Sequence, residues 1–289
     1  MVGQTAQLVA LACHFNGRVC GFRPVSFFPS NSTCKFCEQV HFVRQFHAWF
    51  GRRANPAIAA QTPDEWLGRE ARPGRKAVVL HQRINDSRIS DRMPAGFAGG
   101  GGRWQLNITD ERRMDVWEAN WEVGNRKAPD QRIWRVRYSL VAENVNFVLP
   151  TLRSPVVIMP ALRQALSDIL AFCDQHRIFL EQACGGNDTF GNCFRKAIEC
   201  LSAEDPFALA YHKDLAPEGL LSSSARQVLA ACQAAWVFGG MGSWNDMAFE
   251  GQEQGRYEKL SDALFTLLNE AIQSSANSAA DFGNSSPKD

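Results

Sequence analysis

Three stretches of alternating apolar and polar residues decide the fold: Arg103-Trp-Gln-Leu-Asn-Ile-Thr109, Asp115-Val-Trp-Glu-Ala-Asn-Trp-Glu-Val123 and Arg132-Ile-Trp-Arg-Val-Arg-Tyr-Ser-Leu-Val141. Nearly every second side chain in them is apolar, and many of these are aromatic. A period of two is typical of strands with one buried face. The sequence therefore predicts an antiparallel meander at about 103–141, one face of which buries aromatic side chains.

The polar face of this meander carries both signs of charge. Glu118 and Glu122 fall on the strand next to the one that carries Arg135 and Arg137. Cross-strand pairs of opposite charge contribute about 0.2–1 kcal/mol each. We expect ion pairs here, with little effect on stability.

The residues before the meander give weaker signals. Short apolar segments in 1–50 are broken by glycine, proline and Asn31-Ser32, which favours strands and turns over long helices. The stretch 36–50 fits a helical stripe and a strand equally well. Thr62 as cap and Pro63 in the first turn predict a short helix.

After Pro150 the apolar period becomes helical. A stripe with Pro160 in its first turn contains Leu162, Leu166, Ile169, Cys173, His176 and Leu180. Further helices are predicted at 190–202, 224–238 and 256–276, the second of these ending at Gly239 or Gly240. From Ser274 onward the sequence is too polar to offset its ordering entropy, so we expect a frayed end.

The predicted fold class is α+β, with an N-terminal, mostly antiparallel β half followed by a C-terminal helical bundle-like half. We divide the chain into a basic β-rich region at 1–150, an acidic α-helical region at 151–277 and a disordered tail at 278–289. No repeat of fixed period indicates a solenoid.

The net charge of +1 conceals an asymmetry. Residues 1–159 hold about 22 Lys and Arg against about 13 Asp and Glu, whereas residues 160–289 hold about 9 against about 17. One interpretation is that the halves face each other and neutralise. The other is that an anionic partner, nucleic acid or an acidic protein, docks on the basic half.

Nine cysteines are an odd number in a chain long enough to need no disulfide framework. The apolar run Leu8–Cys13 lacks a basic flank and is too short for a signal peptide or a membrane span. We therefore expect reduced thiols, a cytoplasmic location and no contact with a membrane.

The strongest metal pattern is Cys34-Lys-Phe-Cys37, preceded by Cys13 and Cys20. A C-x2-C pair lets two thiolates bind one tetrahedral zinc ion, and Cys13 and Cys20 could complete the site. Three alternatives stay open: small buried hydrophobic residues, a redox pair, and a Cys–His nucleophile with His41 or His47. Zinc is the only cofactor that the sequence suggests.

A glycine-rich loop at 96–102 follows a basic tract. Backbone N–H groups without side chains can approach an anion closely. The candidate anion-binding residues are Arg75, Lys76, Arg83, Arg88, Arg92, Gly100 and Gly101. The loop lacks a Gly-Lys-Ser/Thr ending and leads into a strand, so a hairpin-like connection explains it equally well.

The segment 236–246 combines large aromatic residues, glycines and polar groups, which is typical of a recognition surface. Its candidate binding residues are Trp236, Ser243, Trp244, Asn245 and Asp246. Turn and cap formation is the structural alternative.

No conventional catalytic motif occurs, so whether the protein is an enzyme stays open. Our leading hypothesis is a binding or regulatory protein that engages a protein partner. The alternatives are an enzyme or nucleic-acid-processing factor that acts on a phosphate-bearing substrate, and a small zinc module fused to a helical domain.

Overall fold

The computed structural model describes residues 1, 3–44, 57–71, 77–83, 90–95, 100–110, 113–146, 151–240 and 242–280. Within them lie six strands: β1 Cys37–Arg44, β2 Ala57–Ala60, β3 Ala77–Arg83, β4 Arg103–Thr109, β5 Met114–Val123 and β6 Trp134–Val145. The helices are α1 Gly3–Val19, α2 Pro63–Glu70, α3 Pro155–Gln175, α4 Arg177–Ala183, α5 Thr189–Cys200, α6 Pro206–Leu209, α7 Ser223–Ala234 and α8 Gln252–Asn277. This arrangement confirms the α+β class.

The strands form one sheet in the order β2-β1-β6-β5-β4-β3. The predicted meander is its β4-β5-β6 part, and β1 joins it by pairing in parallel with β6. Trp117 pairs with Leu106 on one side and with Leu140 on the other, so the apolar residues of the three strands share one face. The predicted cross-strand pair forms between Arg137 and Glu122, 3.3 Å apart, while Arg135 pairs with Glu38 at 2.9 Å.

The expectation of strands and turns near the N-terminus was wrong for residues 3–19, which form α1. All residues from Thr5 to Gly17 are buried. A helix that is covered on every side shows no apolar stripe, so its period cannot be read from the sequence. The ambiguous stretch 36–50 is a strand at 37–44, and its remainder lies outside the described residues.

The short helix was predicted correctly. Thr62 accepts a hydrogen bond from the N–H of Glu65 at 3.2 Å, and Pro63 begins α2. Trp66 of this helix stacks on Phe42 of β1 with ring centroids 4.5 Å apart. α2 therefore covers the β1 end of the apolar face.

The helical half differs from its prediction at the helix ends. α3 begins at Pro155, so Pro160 lies inside the helix, and the stripe is interrupted at His176 before α4. α7 ends at Ala234 rather than near Gly239, and its cap is Ala235. The predicted fraying from Ser274 was also wrong, because residues 274–277 are helical and Ser274–Ala276 are buried. Residues 281–289 of the predicted tail lie outside the described residues.

β3 is an edge strand, and side-chain amides occupy its outer edge. Asn16 of α1 accepts from the N–H of Val78 at 2.8 Å and donates to its C=O at 2.9 Å. Asn277 of α8 makes the same two bonds to Leu80, at 2.7 and 2.9 Å, and Gln273 accepts from the N–H of Gln82. Two helices thereby satisfy backbone groups that a seventh strand would otherwise pair with.

Buried side chains of both halves belong to one hydrophobic cluster. α1 packs against β3 and β4 on one side and α8 on the other. The division at about residue 150 stays a prediction about folding units. α3 is long and apolar enough to cross a membrane by length and composition alone; here it packs on α5, α7 and α8.

Candidate functional site

The C-x2-C pair lies in a turn between α1 and the sheet, which we call the thiol turn, residues Asn31–Cys37. Asn31 caps a 3₁₀ turn at Ser32–Cys34 by accepting from the N–H of Thr33 at 3.1 Å. Lys35 and Phe36 continue the turn, and Cys37 begins β1. Both cysteines are buried, at 0% and 1% exposure.

A buried polar network surrounds the two thiols. Gln7 of α1 donates from Nε2 to the sulfur of Cys34 at 3.5 Å and to that of Cys37 at 3.6 Å. Its Oε1 accepts from the Tyr138 hydroxyl of β6 at 2.8 Å. The network thus joins the thiol turn to a helix and to a central strand.

The two thiols differ in acidity. A hydrogen bond from Cys34 is the main cause that lowers the pKa of Cys37, against the effect of burial. The same contact, with burial, raises the pKa of Cys34, and burial raises the pKa of Tyr138. If one of the pair ionises, it is Cys37.

The other two candidate zinc ligands do not join this pair. Cys13 is buried within α1, and Cys20 is exposed just after its end. Within the described residues, no group of three or more His, Cys, Asp or Glu side chains is arranged to hold a metal ion. The geometry offers two thiols where tetrahedral zinc needs four ligands.

Ser32, His212 and Asp214 meet at the outer side of the thiol turn, a cluster that the sequence gave no reason to expect. Ser32 donates to the Asp214 carboxylate through both N–H, at 2.7 Å, and hydroxyl. His212 Nδ1 lies 2.8 Å from the Ser32 oxygen. Because that hydroxyl proton points to Asp214, Nδ1 must donate. The serine is held between acid and histidine, whereas a catalytic triad places the histidine in the middle.

The candidate anion-binding residues do not form one described cluster. Arg75, Lys76 and Arg88 lie outside the described residues, and Arg83 is exposed at the end of β3. Arg92 is buried, with Nε 2.8 Å from Asp262 and Nη1 3.0 Å from Asn245. Its guanidinium already has protein partners.

The glycines next to Arg92 have a packing role. A Cβ on Gly100 would lie 1.8 Å from the carbonyl oxygen of Pro94, and Gly101 has a φ of +80°. The Gly101 carbonyl accepts from Gln82 Nε2 at 2.8 Å. Close packing against residues 90–95 therefore accounts for these two glycines.

The candidate residues of segment 236–246 are largely held within the protein. Trp244 is fully buried, and its indole N–H donates to Ser261 at 2.7 Å. Ser243 and Asp246 form a capping box, and Asn245 bonds to Arg92. Trp236 is half-buried and packs on Phe265 at 5.8 Å. Recognition through Trp244 would require it to leave the core, so its binding role stays a prediction.

An exposed aromatic group lies at the end of β5 and β6 and at the thiol turn; we call Phe36, Trp121, Val123 and Trp134 the sheet-end patch. Val123 pairs with Trp134, whose N–H donates to the Phe36 carbonyl at 3.0 Å. Trp121 and Trp134 are half-buried and meet edge to face, 5.8 Å apart. Phe36 and Val123 are 37% and 41% exposed.

Cations surround this patch. Lys35, Arg126 and Lys127 are exposed, and Lys35 Nζ lies 5.2 Å from the Phe36 ring. Among the described residues none of these three forms an ion pair. The nearby arginines do: Arg132 pairs weakly with Asp130 at 3.8 Å, Arg135 with Glu38 and Arg137 with Glu122. Alternation predicted these aromatic residues to be buried, and sequence reasoning missed that they lie where the sheet extends past its helices.

A second apolar surface lies at α4. Ile178 and Phe179 are 74% and 43% exposed beside a groove of about 670 Å³. Charges around it largely cancel, since Arg177 pairs with Glu181 and Arg195 with Asp174. This groove therefore has no electrostatic preference for a partner.

Comparison with protein-family models, with curated proteins and with solved structures gave no match.

Proposed function

We propose that this protein binds a partner protein and that the sheet-end patch contacts an acidic segment of that partner. The observation that carries the proposal is the meeting of partly exposed aromatic rings with unpaired cations at the open end of β5 and β6. The function belongs to the class of binding proteins rather than to a particular reaction.

The chemistry of the patch defines the partner. Trp and Arg are enriched among residues that dominate protein interfaces. Trp121 and Trp134 would cover an apolar anchor, while Lys35, Arg126 and Lys127 would meet carboxylates at the rim. The expected ligand is a segment with an aliphatic or aromatic side chain beside two or more Asp or Glu residues.

A protein fits better than nucleic acid. Single-stranded nucleic acid stacks its bases on open ring faces, whereas Trp121 and Trp134 stand edge to face and cover each other. Glu38, Glu122 and Asp130 lie among the cations and would repel phosphates. A mixed-charge rim around aromatic side chains is typical of protein interfaces.

Selection of phage-displayed random peptides on the full chain tests the proposal. We expect acidic peptides with an apolar anchor, whose synthetic versions lose about tenfold in affinity, or about 1.4 kcal/mol, in Trp134→Ala and in Lys127→Glu. Lys127 is fully on the surface, so its variant tests the patch even if Trp134→Ala fails to fold. Tyr211→Ala, at an aromatic residue 63% exposed in the helical half, is the matched control.

Two results would overturn the proposal. In the first, selected peptides bind both patch variants as tightly as the original chain. In the second, a fluorescent oligothymidylate binds with steep salt dependence and loses affinity in Lys127→Glu, which would assign the patch to nucleic acid.

A further inference from the structure

The two cysteines of the thiol turn are placed to react with each other. Their side chains hydrogen-bond, and one amide, that of Gln7, reaches both sulfurs at 3.5 and 3.6 Å. Residues i and i+3 of a turn have Cα atoms within about 7 Å. A disulfide spans about 4.4–6.8 Å between Cα atoms, so the bond fits this turn.

We propose that Cys34 and Cys37 form a reversible disulfide on reaction with hydrogen peroxide, with Cys37 as the attacking thiol and Cys34 as the resolving thiol. No metal or other cofactor takes part. The proposal concerns the thiols themselves and goes beyond the proposed binding function.

The reaction has two balanced steps. The Cys37 thiolate attacks one peroxide oxygen, the O–O bond breaks, and Cys37 sulfenic acid and hydroxide form. The sulfur of Cys34 then attacks the Cys37 sulfur, the S–O bond breaks, and the Cys34 proton leaves with the oxygen as water. Overall two thiols lose two electrons and two protons, and one peroxide becomes two waters.

The surroundings assign these roles. The Cys34 hydrogen bond and the Gln7 amide both stabilise a negative charge on Cys37 and lower its pKa, whereas the pKa of Cys34 is raised. Burial limits the oxidant: both sulfurs lie beneath the surface, where a molecule near the size of water enters far more readily than a peptide disulfide. Peroxide is therefore the expected oxidant, and oxidised glutathione is a poor one.

The disulfide would also restrain the surface of the thiol turn. Lys35 and Phe36 lie between the two cysteines and belong to the sheet-end patch and its rim. An effect of oxidation on peptide binding rests on the proposed function. A mass measurement of the thiols does not, so the two can fail separately.

Peptide mapping by mass spectrometry after peroxide treatment of the full chain tests the inference. We expect a Cys34–Cys37 cross-link with the mass of two hydrogens lost, reversed by dithiothreitol, and formed at least about tenfold faster with peroxide than with oxidised glutathione. Cys20, a lone exposed thiol, is the internal control for oxidant. In Cys34→Ser, dimedone should trap a sulfenic acid at residue 37; in Cys37→Ser, it should trap none at residue 34.

The inference is overturned if Cys20 is oxidised while Cys34 and Cys37 remain free thiols. Equal dimedone labelling of the two serine variants would overturn the assignment of roles. Should either variant fail to fold, mapping of the unmodified chain still decides whether the cross-link forms.

Discussion

His212 is a residue whose protonation is tied to folding. Its side chain donates to Ser32 of the thiol turn, and its backbone N–H donates to Gln233 at 2.8 Å. Burial, at 4% exposure, lowers its pKa from 6.5 to about 4. The folded protein therefore holds this ring neutral at pH values where the unfolded chain protonates it.

The sign of the pH effect follows from proton binding. Between about pH 6.5 and about 4 the unfolded chain binds more protons at this position, so stability is full above that window and falls as pH falls. From about pH 7 to about 5 this residue should cost about 2 kcal/mol of unfolding free energy. His212→Asn keeps a donor without titrating.

Urea unfolding at both pH values measures the effect. We expect the loss of stability on acidification to be smaller in His212→Asn by about 2 kcal/mol. An identical loss in variant and original chain would contradict the assignment. His14, whose pKa burial also lowers, adds to the same trend in both proteins.

The residues of the candidate sites were only partly predictable. The C-x2-C spacing is local and was visible in the sequence. Gln7, Tyr138 and His212 come to the thiol turn from distant positions, and a glutamine, a tyrosine and a histidine have no spacing that announces a shared site. Tertiary packing alone brings them together.

β3 depends on side chains from other elements for its outer edge. An open strand edge leaves N–H and C=O groups without partners, and at a buried position each such group costs about 1–3 kcal/mol. Asn16 meets both needs of Val78 in a buried position, whereas Asn277 does so for Leu80 in a partly buried one. The edge is thus closed by α1 and α8.

Asn16→Ala should be the more costly change. It leaves one buried N–H and one buried C=O unpaired, and we expect a loss of about 2–4 kcal/mol in guanidinium unfolding. Asn277→Ala should cost less, because water can reach Leu80. Asn120→Ala, on the exposed sheet face, is the matched control and should change stability by less than about 0.5 kcal/mol. A cost at Asn16 no larger than at Asn120 would contradict the role of the amide.

The elements differ in how far their sequences reveal them. β4, β5 and β6 have one buried face, so alternation located them to within a few residues, and α5 and α8 have one buried stripe. α1 is covered all round and gave no period. The end of α8 is polar because Gln273 and Asn277 bond to β3, which in the sequence resembles a tail without structure.

At the scale of the whole molecule, opposite charge is not what joins the halves. Among the described residues, the ion pairs between them are Arg92–Asp262 at 2.8 Å and Arg153–Glu270 at 2.6 Å. The other ion pairs of the described arginines lie within one half. Apolar burial around α1 carries the contact instead, since α1 packs on both β3 and α8. The basic half thus keeps free cations for a partner.

This arrangement predicts a single cooperative unfolding transition. Separation of the helical half would expose the buried surface of α1 and leave the edge of β3 unpaired, so neither half should persist alone. In a variant with Trp236→Phe and Trp244→Phe, fluorescence reports only on tryptophans before residue 150, while far-ultraviolet circular dichroism is dominated by α3, α5, α7 and α8. We expect the two signals to give the same guanidinium midpoint. Separate midpoints, or a fragment of residues 151–289 that unfolds cooperatively by itself, would show instead that the chain consists of two folding units.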